Sequence, residues 1–181
     1  EHLITSSLFN SVESVLEDHI TLEYRKIEKI CEKWGIENWS LERGLVNVDG
    51  DVNLYDKGLS HIPLKFGTVT GDFRCGWNKL TSLVGRPIRV GEDFSCGYNN
   101  IREFTGIKYT GGRLRCNGNP IMNIWRIISP EWKWNEDHMD LFEDCSVIQD
   151  DGEAVAIDRL NFFLEEIGLE PVKKVDGYIN I

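Results

Sequence analysis

Between residues 48 and 128 the chain repeats one pattern four times, and a chain that repeats at this interval has few ways to fold. Aligned on their first apolar residues, the copies read VDGDVNLYDKGLSHIPLKFGT, VTGDFRCGWNKLTSLVGRPIR, VGEDFSCGYNNIREFTGIK and YTGGRLRCNGNPIMNIWRII. Their starts, Val48, Val69, Val90 and Tyr109, lie 21, 21 and 19 residues apart. Matching positions form columns: Val52, Phe73, Phe94 and Leu114; Leu54, Cys75, Cys96 and Cys116; Lys57, Asn78, Asn99 and Asn119. Two further columns hold Leu59, Leu80, Ile101 and Ile121, and Ile62, Leu83, Phe104 and Ile124. A unit of ~20 residues cannot bury its apolar face alone, so such columns must stack on one another into a continuous core. The expected fold class is an α/β repeat solenoid with a parallel sheet.

Each unit is too short to hold much helix. A strand and its turn take about 11 residues, which leaves ~10 to cross the opposite side, so extended crossings are expected. Pro63 and Pro87 fall in those crossings, where no ladder donor is needed. Gly50, Gly71 and Gly112 precede the strands, as tight corners require. The Asn column has a mechanical reading: a side-chain amide where the chain leaves the strand can satisfy backbone groups of its own turn and of the next unit. The first unit departs from this pattern with Lys57.

Residues 1–43 read as a helical cap, 44–128 as the repeats, and 129–181 as an acidic helical cap. Leu8, Phe9, Val12, Val15 and Leu16 share one helical face, and so do Ile27, Ile30, Cys31 and Trp34, with Gly35 as the stop. Such lids cover the outermost units of a stack. Beyond Ser129 and Pro130, a short helix is expected over 136–145 and a longer one over 153–167. Asp176 and Gly177 between two short apolar segments predict a terminal hairpin.

Composition narrows the function classes. No apolar run approaches the ~20 residues of a membrane span, and Glu1, His2, Leu3 and Ile4 lack the basic and apolar start of an export signal. Cys31, Cys75, Cys96, Cys116 and Cys145 form an odd set, three of them in a column that opens with Leu54, so they read as small buried hydrophobes. No CxxC or HxxxH pair completes a metal site, and free thiols suit the cytoplasm; neither metal nor cofactor is expected. His2, His19, His61 and His138 share no dyad or ligand spacing, and hydrolase, zinc-protease and phosphate-loop motifs are lacking. Asp49-Gly50-Asp51 and Asp150-Asp151-Gly152 lack the alternating ligands of a calcium loop and read as solvated turns. Cys145 shows no base partner, which disfavours a cysteine ligase. No catalytic residue is assigned.

Charge is uneven. The chain totals −10, yet residues 48–128 carry +4, while 136–170 carry −11 with Arg159 as the only base. Direct nucleic-acid binding is disfavoured, because Asp51, Asp72 and Asp93 interrupt the basic repeat surface.

The motif GDFRCGWNKLTSLVGRP at 71–87, half repeated as DFSCGYN at 93–99, resembles a known family. The units resemble short bacterial-type leucine-rich repeats, and their form is similar to repeat proteins encoded by tailed bacteriophages. The resemblance covers roughly residues 48–128. It implies a right-handed stack of about four short leucine-rich repeats whose concave parallel sheet binds another protein. The setting of the phage relatives implies a host protein, immunity factors included, met in the host cytoplasm.

On each strand alternate side chains face outward. That places Asn53, Arg74, Ser95 and Arg115 in one exposed column, with Asp51, Asp72, Asp93 and Arg113 beside it. Just past the strands lie Asp56, Trp77, Tyr98 and Gly118. Two aromatics flanked by charges have the makeup of an interface hot spot. The expected partner-binding set is Asp72, Arg74, Trp77, Asp93, Ser95, Tyr98, Arg113 and Arg115. The competing reading has Trp77 and Tyr98 folded over the strand ends as shields of the core. Asp144, Asp150, Asp151 and Glu153 form a secondary acidic surface, read either as a solvated helix face or as a dock for a basic patch.

The expectation is a non-enzymatic protein that binds and inhibits a host protein. One alternative is an acidic decoy that imitates a nucleic-acid backbone on a host DNA- or RNA-binding site. Another is an enzyme whose site carries no recognisable motif. Oligomeric state is left open.

Overall fold

The computed structural model describes residues 20–103, 111–128, 141–142, 144–149 and 152–181. The helix expected around Leu8–Leu16, Phe104, most of the span 136–145, Asp150 and Asp151 lie outside the described residues.

Among the described residues the fold mixes three helices with three sheets, and no sheet closes into a barrel. Helix α1 covers 20–34 and ends where Gly35 turns at a φ of +65°. Its inner face is Ile27, Ile30, Cys31 and Trp34, as the spacing predicts. The span 1–43 is not wholly helical, however. β1 (Trp39–Glu42) turns back on β2 (Leu45–Val48) as an antiparallel hairpin, with Arg43 and Gly44 both at positive φ.

From β2 onward the chain coils, and successive turns feed two sheets. β3 (Val52–Asn53), β5 (Phe73–Arg74), β7 (Phe94–Ser95) and β8 (Leu114–Arg115) form one parallel sheet. Its register pairs Val52 with Phe73, Phe73 with Phe94 and Phe94 with Leu114, the first apolar column read from the sequence. The crossings of the first two units are extended, as their length requires, and both add strands of their own. β4 (Phe66–Val69) and β6 (Arg89–Val90) continue from β2 as a second parallel ladder.

The core lies between these two sheets. Val46, Val48, Phe66, Val69 and Val90 bury from one side, and Val52, Leu54, Phe73, Cys75, Phe94 and Cys96 from the other. Phe66 meets Phe73 edge to face at 5.2 Å, and Phe73 stacks on Phe94 at 5.5 Å. Leu80, Leu83, Ile101, Ile121 and Ile124 complete the buried columns. All three column thiols are buried. Loss of hydration pushes Cys75 and Cys116 up to about 12 and Cys96 well above its ordinary range.

The Asn column works as a ladder of clamps. Asn78 accepts the Lys57 and Leu59 N–H groups at 3.0 and 2.9 Å and donates to the carbonyls of Leu54, Cys75 and Gly76. Asn99 accepts from Leu80 N–H and donates to Cys75 and Cys96. Asn119, 4% exposed, accepts from Ile101 N–H and donates to Cys96 and Cys116. Each amide thus joins its own turn to the unit before it.

In the fourth unit helix α2 (Met122–Ile128) replaces the extended crossing, burying Ile124, Trp125 and Ile128. The C-terminal part differs from its sequence expectation in two places. The helix expected over 153–167 begins later, as α3 (Ile157–Glu166), because Ala154–Val155 forms strand β10. No hairpin forms around Asp176 and Gly177. β11 (Ile179–Asn180) instead runs parallel to β10, whose other neighbour is β9 (Ile148–Gln149). The reason is a better docking for the preceding segment. The Tyr178 hydroxyl donates to the Arg102 carbonyl at 2.8 Å, Arg102 donates to the Gly177 carbonyl, and Asn123 donates to the Asp176 carbonyl. The tail is thereby pinned to the third and fourth units.

Candidate functional site

The outward face of the β3-β5-β7-β8 sheet carries two polar rows and one aromatic ridge. Asp51, Asp72 and Asp93 occupy equivalent positions and make a second ladder. The Asp51 carboxylate accepts the Asp72 N–H at 2.9 Å, Asp72 accepts the Asp93 N–H at 2.8 Å, and Asp93 accepts the Arg113 N–H at 2.7 Å. Their remaining oxygens hold the arginines. Arg74 bridges Asp51, at 3.1 Å, and Asp72, while Arg115 pairs with Asp93 at 2.8 Å. The Arg113 N–H and the Arg115 guanidinium hold the Asp93 carboxyl below its ordinary range. Of the residues expected to bind a partner, Asp72, Arg74, Asp93 and Arg115 are therefore engaged with one another. Ser95 lies half-buried between them, and Arg113 is exposed at the fourth unit.

Trp77 and Tyr98 stand apart from these rows. Each follows a glycine, Gly76 or Gly97, just beyond the strand, and both are more than half exposed, at 53% and 54%. Their rings lie side by side, 4.7 Å between centroids and tilted by 34°. Both rings are open to water on one side, while Tyr98 also covers the turn at the end of β8. Tyr98 lies flat over Gly118, where a methyl group would come within 2.8 Å of its Cδ1. Tyr55, half exposed, reaches Gly76 from the preceding unit.

The backbone beneath the ridge is unusual. Asp56, Trp77, Tyr98 and Gly118 occupy one column, and all four are left-handed, with φ of 52°, 55°, 57° and 75°. The turn that carries the chain out of the strand demands this conformation in every unit. Gly meets the demand freely and Asp tolerates it, whereas bulky side chains adopt it only at a cost of about 1–2 kcal/mol each. Local folding energetics therefore favours small or Asx residues here, and two units carry large rings instead.

Asp144 and Glu153 are exposed, as are Asp158, Glu165, Glu166 and Glu170 along or after α3. Beside them a cavity of about 360 Å³ is lined by Leu141, Asp144, Cys145, Asp158, Arg159 and Phe162. Burial and the nearby Asp144 and Glu166 raise the Cys145 thiol, which disfavours the reactive thiolate. Among the described residues no His, Cys, Asp or Glu group gathers into a metal-holding cluster. No described helix is long and apolar enough to cross a membrane.

Asp56, placed by the sequence in the column of Trp77 and Tyr98, was left out of the expected partner-binding set, and Tyr55 beside it was not singled out. The signal was the column itself: Asp, Trp, Tyr and Gly in equivalent places mark a left-handed position that two units fill with rings. No protein-family model, curated protein or solved structure matches the chain.

Proposed function

We propose that this chain is a protein-recognition module built on leucine-rich repeats of the tailed-phage type, without catalytic activity of its own. In this reading it binds a protein of the bacterial host cytoplasm, a defence factor being the first candidate, and blocks it. The observation that carries the binding is the Trp77–Tyr98 pair: two neighbouring rings, each more than half exposed, on backbone that disfavours them. Paired aromatics that lose water on contact are the usual energetic centre of an interface. The ion-paired rows beside them supply a polar rim already neutralised at short range. The host setting and the blocking action rest on the resemblance of the repeats.

The test is quantitative capture from a bacterial lysate with the full chain, the Trp77→Ala/Tyr98→Ala variant, and a variant with acidic residues of the C-terminal part reversed to Lys. A protein retained by wild type and by the acidic variant, but lost with the aromatic variant, is the expected result. That protein's own activity should then fall when the chain is added. Loss of capture with the acidic variant alone would replace this reading by the decoy.

A further inference from the structure

The ridge has one free π face, and its surroundings say what would cover it. Tyr98 rests on Gly118, and Trp77 lies against Tyr98. The exposed flank of Trp77 is thus the one turned toward the preceding unit, where Asp56 holds the equivalent position. The two backbones are joined there, because the Asp56 N–H donates to the Gly76 carbonyl at 3.0 Å. With φ of 52° and 55°, the two side chains leave their rungs in parallel, roughly 5 Å apart as neighbouring strands are. Asp56 is exposed and enters no ion pair among the described residues. Half-exposed Tyr55 borders the same place through its contact with Gly76.

The chain also keeps its own cations away from these rings. Lys33 sits over Trp34 at 4.7 Å and Arg102 over Tyr178 at 5.7 Å, but among the described residues no cation lies over Trp77 or Tyr98. Arg74 and Arg115 stand in the adjoining row, yet their guanidinium groups are held by Asp51, Asp72 and Asp93. An indole face with an unpaired carboxylate one rung away is complementary to a flat cation that can stack and pair at once.

We propose that the anchor received by this ridge is an arginine side chain of the partner, its guanidinium stacked on Trp77 and paired with Asp56. The proposal rests on the protein-binding reading of the aromatic pair and names the chemistry it selects. Arginine is favoured over lysine because a planar, weakly hydrated guanidinium stacks on an aromatic face and engages a carboxylate with two donors.

The probe is a blocked Gly-Gly-Arg-Gly-Gly peptide, with its citrulline and lysine counterparts, titrated into the full chain while the indole N–H of Trp77 is followed by NMR. That resonance is assigned by its loss in Trp77→Phe. A saturable shift is expected with the arginine peptide, with affinity about tenfold lower for citrulline and severalfold lower for lysine. Asp56→Asn should weaken the arginine peptide about fivefold and leave citrulline unchanged. An unmoved Trp77 resonance, or equal affinity for arginine and citrulline, overturns the arginine anchor. Lysate capture separates the two failures. If capture still depends on Trp77 and Tyr98 while the peptides do not discriminate, only the anchor falls. If capture ignores both rings, the protein-binding reading falls with it.

Discussion

Trp77 and Tyr98 join two properties seldom found together: exposure and a left-handed backbone. The same geometry that argues for function makes a stability prediction. Replacing both by Asn, which tolerates this conformation, should leave the melting temperature unchanged or slightly higher while abolishing partner capture. Calorimetry of the double variant checks it, and a drop of about 5 °C or more would show that the rings support the core. Asn119 is the opposite case. It is buried and bonded to three backbone groups of two units, so Asn119→Ala leaves one N–H and two carbonyls short of partners. Urea unfolding should register a loss of about 3 kcal/mol, and a change under 1 kcal/mol would remove the clamp role.

The thiol column ties the central sheet to pH. Cys75, Cys96 and Cys116 ionise more reluctantly in the folded chain than in the unfolded one. Their contribution is therefore complete below the ordinary thiol value of 9.0 and is lost as pH rises toward the folded values near 12. Between these limits stability should fall by up to about 1.4 kcal/mol per pH unit for each thiol. Denaturant midpoints measured from pH 7 to 10.5 on wild type and Cys96→Ala read this directly: the variant should show the shallower alkaline decline. A thiol reagent should leave all three unlabelled at neutral pH until the chain unfolds, and rapid native labelling would contradict the stacked arrangement. At the acid end the sign reverses. The lowered Asp93 carboxyl contributes above its ordinary value of 3.8, and that contribution is lost as pH falls below it.

Across the whole molecule, the tail reaches back onto the repeats through Tyr178, Gly177 and Asp176, with Arg102 and Asn123 as the receiving residues. Phe163 is fully buried in α3 and meets Phe142 edge to face at 5.3 Å. Because the C-terminal part and the repeats share this seam, Phe163→Ala should lower the single melting transition of the whole chain, by about 3–5 kcal/mol, rather than release a separate early one. Two resolved transitions in calorimetry would show that the parts unfold independently. Partner association carries a matching test at this scale. A stacked ring interface should keep most of its affinity between low and moderate salt while its association rate falls, whereas a decoy would lose affinity steeply.

The columns were readable in the residues alone, since equal spacing of apolar positions places Val52, Phe73, Phe94 and Leu114 side by side whatever else the chain does. The same logic exposed the Asn clamps and the alternation that turns Arg74 and Ser95 outward. Trp77 and Tyr98 instead share the parity of buried Phe73 and Phe94 and leave the core face only through the left-handed turn. What repetition could not show is where each polar group finds its partner. Asp72 and Asp93 read as free surface charges, yet their oxygens meet N–H groups of the following unit, an encounter created by the stack. The crossings read only as extended, and the ladder through β4 and β6 arises from pairing across 21 residues. Asp176-Gly177 carried a local hairpin signal. Contacts with Arg102 and Asn123, more than 50 residues away, bound the tail more favourably than a local turn could. Periodicity thus settled which side chains are neighbours, because it acts identically in every unit. Distant packing settled which charges are spent and which stay free, because those partners lie in other units and leave no mark on local sequence.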